Sequence, residues 1–486
     1  MSVSTNSYKA VFKTTMLFGF VQLLTVIVSV IRTKFVALWL GASGYGIISL
    51  FNTAINLIFS ISNLGFQSSV VRDVAYYNSL DKILLERYLK AILRWLYILG
   101  LLGTLLMIIL SPLLSFYLFG SYDYTFPLCL LSVVLFLNTL YNGYYSILQG
   151  LRKVTNLLKA NAIGALLGLG ALVPILYFYK SEGILYGLIA NSLVMTIVAY
   201  LYTYSDIKKV SSLPVAIRQT YLLGMNTAKL GIAISINTIF ASLISFILSS
   251  FIVSINGISE VGLYQAGWAL NEGYVGLVFS ALAKDYLPRL TENINDKGQF
   301  ANCVNQQSEL TILLLGPLLI LMICFLKVII TLFYSEDFIA AEIFTVWLLV
   351  GSFVRAASLG ISHVFLALGD GKLFLQCEIL IKLCLTLPLY LLGYKYWGLS
   401  GIGVGFLIQN VIYLIVVSIV VKRKYDFVLS KKFNRSFYLQ TIFFSLCILM
   451  YFFYNNIFVK ILFLFIVSAY SIYELNKRML FFNRHK

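Results

Sequence analysis

The chain has 486 residues, 60% of them hydrophobic and only 11% charged, with a mean hydropathy of +0.90, and no soluble fold hides that much apolar surface. Apolar runs of roughly 20 residues recur along the whole length, each enough to cross about 30 Å of hydrocarbon as a helix, and the lack of alternation excludes a β-barrel. The net charge of +17 would suggest nucleic acid in a soluble protein, but here the basic residues sit between apolar runs, where the positive-inside rule accounts for them, so no nucleic-acid partner is expected.

The expectation is an all-α integral membrane protein. Cutting at polar and turn-forming breaks predicts about fourteen transmembrane helices, over residues 14–38, 46–70, 86–118, 125–149, 158–179, 184–204, 226–253, 262–287, 306–334, 343–368, 373–393, 401–421, 438–455 and 457–475. The first run follows Lys9 and Lys13, lacks a small-residue cleavage site and continues through Arg32 to Trp39, so it reads as a retained span and not a signal peptide. An even count puts both termini on one side. Every second connection is basic, from Lys82 and Arg87 through Arg152 and Lys153, Lys208 to Arg218, Arg289 and Lys297, and Lys372 to the run Lys422 to Lys432. Those loops and both termini should face the cytoplasm. The alternate turns, short or acidic as at Glu336 and Asp337, should face outward. The six cysteines show no paired spacing, and neither a metal nor another cofactor is expected.

Sliding the chain by about 216 residues lays Gly257–Gly262 on Gly41–Gly46 and Lys229 on Lys13. At nearly the same offset Gly369–Lys372 falls on Gly150–Lys153 and Gly401–Gly405 on Gly183–Gly187. Two parallel six-helix lobes around a central cavity are implied, residues 1–210 and 211–425, with residues 426–486 forming a C-terminal helix pair and basic tail.

Polar side chains at spacings of three and four line single helical faces: Gln22, Thr25, Ser29 and Arg32; Ser49, Asn52, Asn56, Ser60, Asn63 and Gln67; Asn138, Asn142, Tyr145 and Gln149; and Ser235, Thr238, Ser242, Ser245 and Ser249. Such stripes serve interhelical packing or line a hydrated cavity, and four of them spread over both halves favour the cavity. Charges inside spans are mostly basic, and Arg32, Lys34, Lys229, Lys327 and Arg355 have no acid one helical turn away. Lys34, Lys229 and Lys327 can snorkel to an interface. Arg32 and Arg355 lie deeper and are the leading substrate contacts, since a guanidinium clamps phosphate bidentately. Lys382 has Glu378 one turn before it, a structural or a functional pair. Glu272 is either a coupling-ion site or the counter-charge of a cavity base. His363 is expected to be simply hydrogen-bonded. The glycine clusters come after no strand and no Walker motif occurs, so ATP-driven transport within this chain is not expected.

Three segments carry a family resemblance: Trp39–Gly46 after the first span, Asn63–Arg72 ending the second, and Tyr286–Arg289 ending the eighth. Together they resemble the polysaccharide-exporting branch of the multidrug, oligosaccharidyl-lipid and polysaccharide (MOP) exporter superfamily, specifically the O-antigen or repeat-unit flippases. The resemblance implies two six-helix lobes, alternating access, no enzymatic activity and residence in the bacterial cytoplasmic membrane. It implies as substrate an undecaprenyl-pyrophosphate-linked oligosaccharide moved from the cytoplasmic to the periplasmic leaflet. By similarity to lipid II flippases, spans thirteen and fourteen would help form a groove for the polyprenyl tail. In that reading Arg32 and Arg355 with Lys229 hold the pyrophosphate, and Asn56, Asn142, Ser29 and Ser242 solvate the sugars. A proton or sodium gradient is the candidate driving force, with Glu272 as the ion site. Membrane lipids and other polysaccharide-assembly membrane proteins are the expected partners. The rival readings are an exporter of a teichoic-type polymer or a drug, and a membrane polysaccharide polymerase or ligase. The short outer turns argue against the enzyme.

Overall fold

The structure is a computed structural model describing residues 2–483 except 64, 212–215, 372, 374, 375, 378–380 and 455. Side chains are described from residue 21 onward, and not at 209–211, 229, 230, 233, 234, 284, 285, 382, 383 or 479–483. No strand occurs among the described residues. In hydrocarbon the backbone has no water to bond to, so each segment satisfies its own N–H and C=O groups as helix.

The helices in chain order are α1 (Ser2–Asn63), α2 (Phe66–Leu80), α3 (Lys82–Phe119), α4 (Thr125–Gly150), α5 (Val154–Tyr179), α6 (Gly183–Ser211) and α7 (Ile217–Asn256). Next come α8 (Ile258–Trp268), a π-helical turn (Ala269–Val275), α9 (Gly276–Glu292), α10 (Lys297–Cys324), α11 (Leu326–Phe333) and α12 (Glu342–Ala367). A second π-helical turn (Lys382–Thr386) leads into α13 (Leu387–Tyr425), and α14 (Lys431–Phe453) and α15 (Ile457–Asn483) close the chain. Among the described residues, 11 helices are long and apolar enough to cross a membrane. A cut at turns counts more spans because α1 and α13 each contain a non-helical glycine, Gly41 and Gly398, inside one continuous helix, and because the run from α8 to α9 is not among the eleven.

The chain packs as two compact units, Met1–Gly262 with Phe333–Ser335, and Leu263–Leu332 with Glu336–Lys486. In the first, α7 packs on α1, α2 and α3, α5 packs on α6, and Phe66, Val70, Val74, Ile92 and Leu96 form a core. Thr227 of α7 and Tyr88 of α3 both donate to Asp73 Oδ2, at 2.9 and 3.2 Å, tying three helices together. In the second unit α12 packs on α10 and α13 around Tyr286, Val304, Val364 and Phe365. Arg478 of α15 reaches Glu309 of α10 and Ser436 of α14, and Gln440 donates to Ser471 at 2.9 Å, so the C-terminal pair is bound into this unit. The repeat boundary near residue 210 and this packing boundary are different partitions: α7 opens the second repeat in sequence and joins the first unit in space.

The repeat is written in the backbone. Gly41 has φ 62° and ψ −166°, and Gly257 has φ 84° and ψ −175°. Lys180 has φ 47° and ψ −127°, and Gly398 has φ 59° and ψ −147°. A third pair is Arg152 and Gly369, both at positive φ. In the first turn Leu151 N donates to Ile147 O, Arg152 N to Gln149 O and Lys153 N to Leu148 O; Leu368, Gly369 and Asp370 donate in the same order to Val364, Leu366 and Phe365. The three pairs stand 216, 217 and 218 residues apart (41 to 257, 152 to 369, 180 to 398). The sequence match of Gly150 to Gly369 is therefore two residues out of register, and the structure pairs Arg152 with Gly369 instead.

The first pair of turns also meets reciprocally. A methyl group on Gly46 would collide with the Ile258 carbonyl, and one on Gly262 with the Ala42 carbonyl, and these contacts exchange under the 216-residue shift (42 to 258, 46 to 262). Lys180 holds a conformation that its repeat partner assigns to glycine, which for a side chain costs about 1–3 kcal/mol. Lys180→Gly should accordingly stabilise the protein by about 1 kcal/mol, read as a higher melting temperature in detergent, whereas Gly398→Ala should lower it. An unchanged or lower melting temperature for Lys180→Gly would contradict the backbone repeat.

Candidate functional site

Each unit carries a polar cluster. In the first, Arg32 sits on the Ser29 face of α1, is exposed, and has no carboxylate partner among the described residues. It lies in electrostatic range of Tyr45, which bonds the side chain of Tyr334 and meets its ring edge-on at 5.7 Å. Lys34 donates to the Tyr334 carbonyl oxygen at 2.7 Å, so this lysine is held by backbone 300 residues away. Asn52 and Asn56 are exposed on the same helix and Thr238 on α7, while Ser29 and Ser242 are half-buried. Polar groups uncovered by protein in a membrane helix face water or a polar ligand in preference to lipid tails. Asn142 bonds its own helix through Nδ2 to Asn138 O at 2.8 Å. Among the described residues no hydrogen bond joins Arg32 to Ser29, Asn56, Asn142 or Ser242.

The second cluster is built on the π turn between α8 and α9. One extra residue in that turn rotates the remainder of the helix about its axis, and such turns recur at functional sites. Here the turn presents two consecutive polar residues to α12. Asn271 Oδ1 accepts from Ser352 Oγ at 2.7 Å, and its Nδ2 has no partner among the described residues although the residue is buried. Glu272 Oε1 accepts from Arg355 Nη1 at 2.5 Å. The arginine also lies over the Phe279 ring at 5.1 Å, a cation–π contact that holds the guanidinium and leaves its other N–H groups without a hydrogen bond among the described residues. Tyr264 and Tyr390 stand in electrostatic range of Glu272, and Tyr390 donates to Gln409 at 2.9 Å. Side-chain exposures of 39% for Arg355 and 32% for Glu272 leave the pair open on one side.

Arg355 is therefore not an unpaired base. Its acid comes from another helix, 83 residues away, where a rule of one helical turn does not look. Glu272, read in the sequence as a coupling-ion site or a counter-charge, is ion-paired with Arg355 here. Asn271, Phe279, Tyr45 and Tyr334 were not legible as site residues, because nothing in helical periodicity marks a π turn or a contact across hundreds of residues. His363 Nδ1 bonds Leu359 O at 2.8 Å, as a hydrogen-bonded histidine should, and Lys327 is exposed. The side chains of Lys229 and Lys382 and the whole of Glu378 lie outside the described residues.

An ion pair in low dielectric is more damaging to break than to replace. Arg355→Met alone should destabilise the protein by about 1–3 kcal/mol, less than a fully buried pair because this one is partly open. Adding Glu272→Leu should recover most of that loss. Thermal melting of the single and double variants checks this, and a double variant as unstable as the single would contradict the pairing.

A family profile described as "Polysaccharide biosynthesis protein" matches residues 35–342. No curated protein sequence matches the chain. Among solved structures, the chain resembles the lipid II flippase MurJ in an inward closed conformation, at a TM-score of 0.72 and 16% identity, covering 96% of this chain and 100% of that one. It also resembles an inward-facing multidrug resistance MATE transporter of the MOP superfamily, at 0.63 and 16%, covering 88% and 95%. A MOP superfamily transporter from Pyrococcus furiosus, described as having a binding pocket of reverse polarity, matches at 0.56 and 15%, covering 90% and 96%. At these identities the likeness is one of fold, a multi-pass helical membrane fold shared with MurJ and the MATE transporters. The profile spans more than half of the chain, and the protein belongs to the polysaccharide biosynthesis protein family.

Proposed function

We propose that this protein is a flippase that carries an undecaprenyl-pyrophosphate-linked oligosaccharide from the cytoplasmic to the outer leaflet of a bacterial cytoplasmic membrane by alternating access. The observation that carries the reading is the half-open Arg355–Glu272 pair on its π turn. A guanidinium steadied by an aromatic ring and neutralised by one carboxylate is a phosphate site occupied by a stand-in. When pyrophosphate arrives, Arg355 exchanges Glu272 for it, and the exchange is between two anions, so little charge is left uncompensated on the arginine. Glu272 then loses its partner and becomes the group on which a proton or a sodium ion would be taken up. Substrate and ion are thereby linked through one arginine.

Within the first unit, Arg32, with no carboxylate partner among the described residues, is a cation suited to an anionic substrate, and the exposed Asn56 with the Ser29 and Ser242 hydroxyls would bond sugar. The same basic groups disfavour the cationic drugs that an acidic cavity would attract. Both termini are assigned to the cytoplasm by the basic loops, and other membrane proteins of polysaccharide assembly are the natural partners of such a step.

A leaflet-protection assay in proteoliposomes with a fluorescent polyprenyl-pyrophosphate oligosaccharide tests this reading. Wild type should move the label outward. Arg32→Ala and Arg355→Ala at matched protein levels should each slow it about 10- to 100-fold, the equivalent of one charge-assisted hydrogen bond of about 1.5–3 kcal/mol. Wild type that leaves the label in place would overturn the substrate, and variants as fast as wild type would overturn the clamp.

A further inference from the structure

The second unit has a crevice between α12, α13 and α14. Its upper stretch, about 330 Å³, is walled by Val350, Phe353, Leu407, Val411, Phe437 and Phe444. Its lower stretch, about 270 Å³, is walled by Ile361, Ile419, Val421 and Phe427 and ends at Lys422 and Asn434. The lining positions 411, 415, 418 and 422 on α13, and 434, 437, 441, 444 and 448 on α14, succeed one another at spacings of three and four. Each set lies along one helical face, so the two stretches follow one another along α13 and α14. From Leu407 to Lys422 it runs about 22 Å at the rise of an α-helix. Its lining residues come from α12, α13, α14 and the turn that joins α13 to α14.

The walls are apolar and the lower end is cationic. Lys422 is exposed and has no carboxylate partner among the described residues. The nearby Lys424 is engaged with Asp370 at 3.0 Å, and Asp370 also accepts from the Tyr425 hydroxyl. Arg423, Lys431 and Arg435 flank the same end in sequence. This is the side that the positive-inside rule assigns to the cytoplasm. An apolar slot that opens beside an unneutralised lysine at a membrane surface complements a lipid with a negatively charged head.

We infer that this crevice binds one anionic phospholipid of the cytoplasmic leaflet, with its phosphate on Lys422 and the Asn434 amide and an acyl chain along α13. The length of about 22 Å matches one leaflet of a bilayer that is about 40–45 Å thick with its headgroups, which favours a single phospholipid over a polyprenyl chain of far greater length. The inference needs only a membrane-embedded chain and does not rest on the flippase reading.

Native mass spectrometry of the full-length protein, released from detergent with phosphatidylglycerol or with phosphatidylcholine of the same acyl chains, tests it. Wild type should retain phosphatidylglycerol about fivefold over phosphatidylcholine, the discrimination of one surface lysine. Lys422→Gln should bring that ratio close to one, Ser418→Trp, which fills the lower stretch, should lose both lipids, and Lys159→Gln, a base of the first unit, should behave as wild type. Melting curves of each variant identify one that has lost its fold, and Asn434→Leu provides a second, independent headgroup variant. Equal retention of the two lipids by wild type, or undiminished preference in Lys422→Gln, would overturn the site. Displacement of phosphatidylglycerol by an equimolar polyprenyl pyrophosphate would reassign the crevice to a prenyl lipid and overturn the phospholipid.

Discussion

The reciprocal contact of two glycine turns is the constraint on which the first unit is organised. Gly46 lies against the Ile258 carbonyl and Gly262 against that of Ala42, at positions related by the repeat. No residue with a Cβ fits either place without moving backbone. Gly41 and Gly257, five residues earlier in each turn, supply the positive φ that reverses the chain. The contact ties the first turn of one repeat to the first turn of the other. It also sets where α1 and α7 leave that turn, and with them the polar faces that carry Arg32 and Ser242.

The second unit departs from the regularity that this repeat imposes. A π turn at Ala269–Val275 adds a residue to the helix and brings Asn271 and Glu272 to bear on Ser352 and Arg355. Both polar residues meet the same helix, so the local irregularity is stabilised by two hydrogen bonds, one of them charged. The exposure that remains on Arg355 is what separates this pair from a purely structural one such as Arg478 with Glu309, where the side chains are 19% and 11% exposed. A sealed pair holds helices together; an open one can change partner.

Much of this was legible in the sequence, for reasons that differ by residue. The apolar runs made a helical membrane fold unavoidable, and the Gly41–Gly46 echo at Gly257–Gly262 announced the repeat because close backbone contact tolerates nothing but glycine. The equivalence of Lys180 with Gly398 and of Arg152 with Gly369 was hidden, since each turn uses a different residue to reach the same backbone geometry. Arg355 and Glu272 were both visible as charges inside spans. Their pairing was not, because side-chain partners on different helices leave no mark in local spacing and the intervening π turn shifts the helical register. The Lys34 contact was beyond reach for another reason: its acceptor is a backbone carbonyl, which every residue possesses.

The central claim is that Arg355 holds a carboxylate in the place of a substrate phosphate. Binding of a soluble short-chain prenyl pyrophosphate to the purified protein, compared between wild type and Glu272→Gln by calorimetry, measures that competition directly. With the intramolecular anion neutralised, Glu272→Gln should bind pyrophosphate about tenfold more tightly than wild type, and the gain should vanish when Arg355→Met is added. Equal or weaker binding by Glu272→Gln would contradict the exchange and leave the pair as a structural bond.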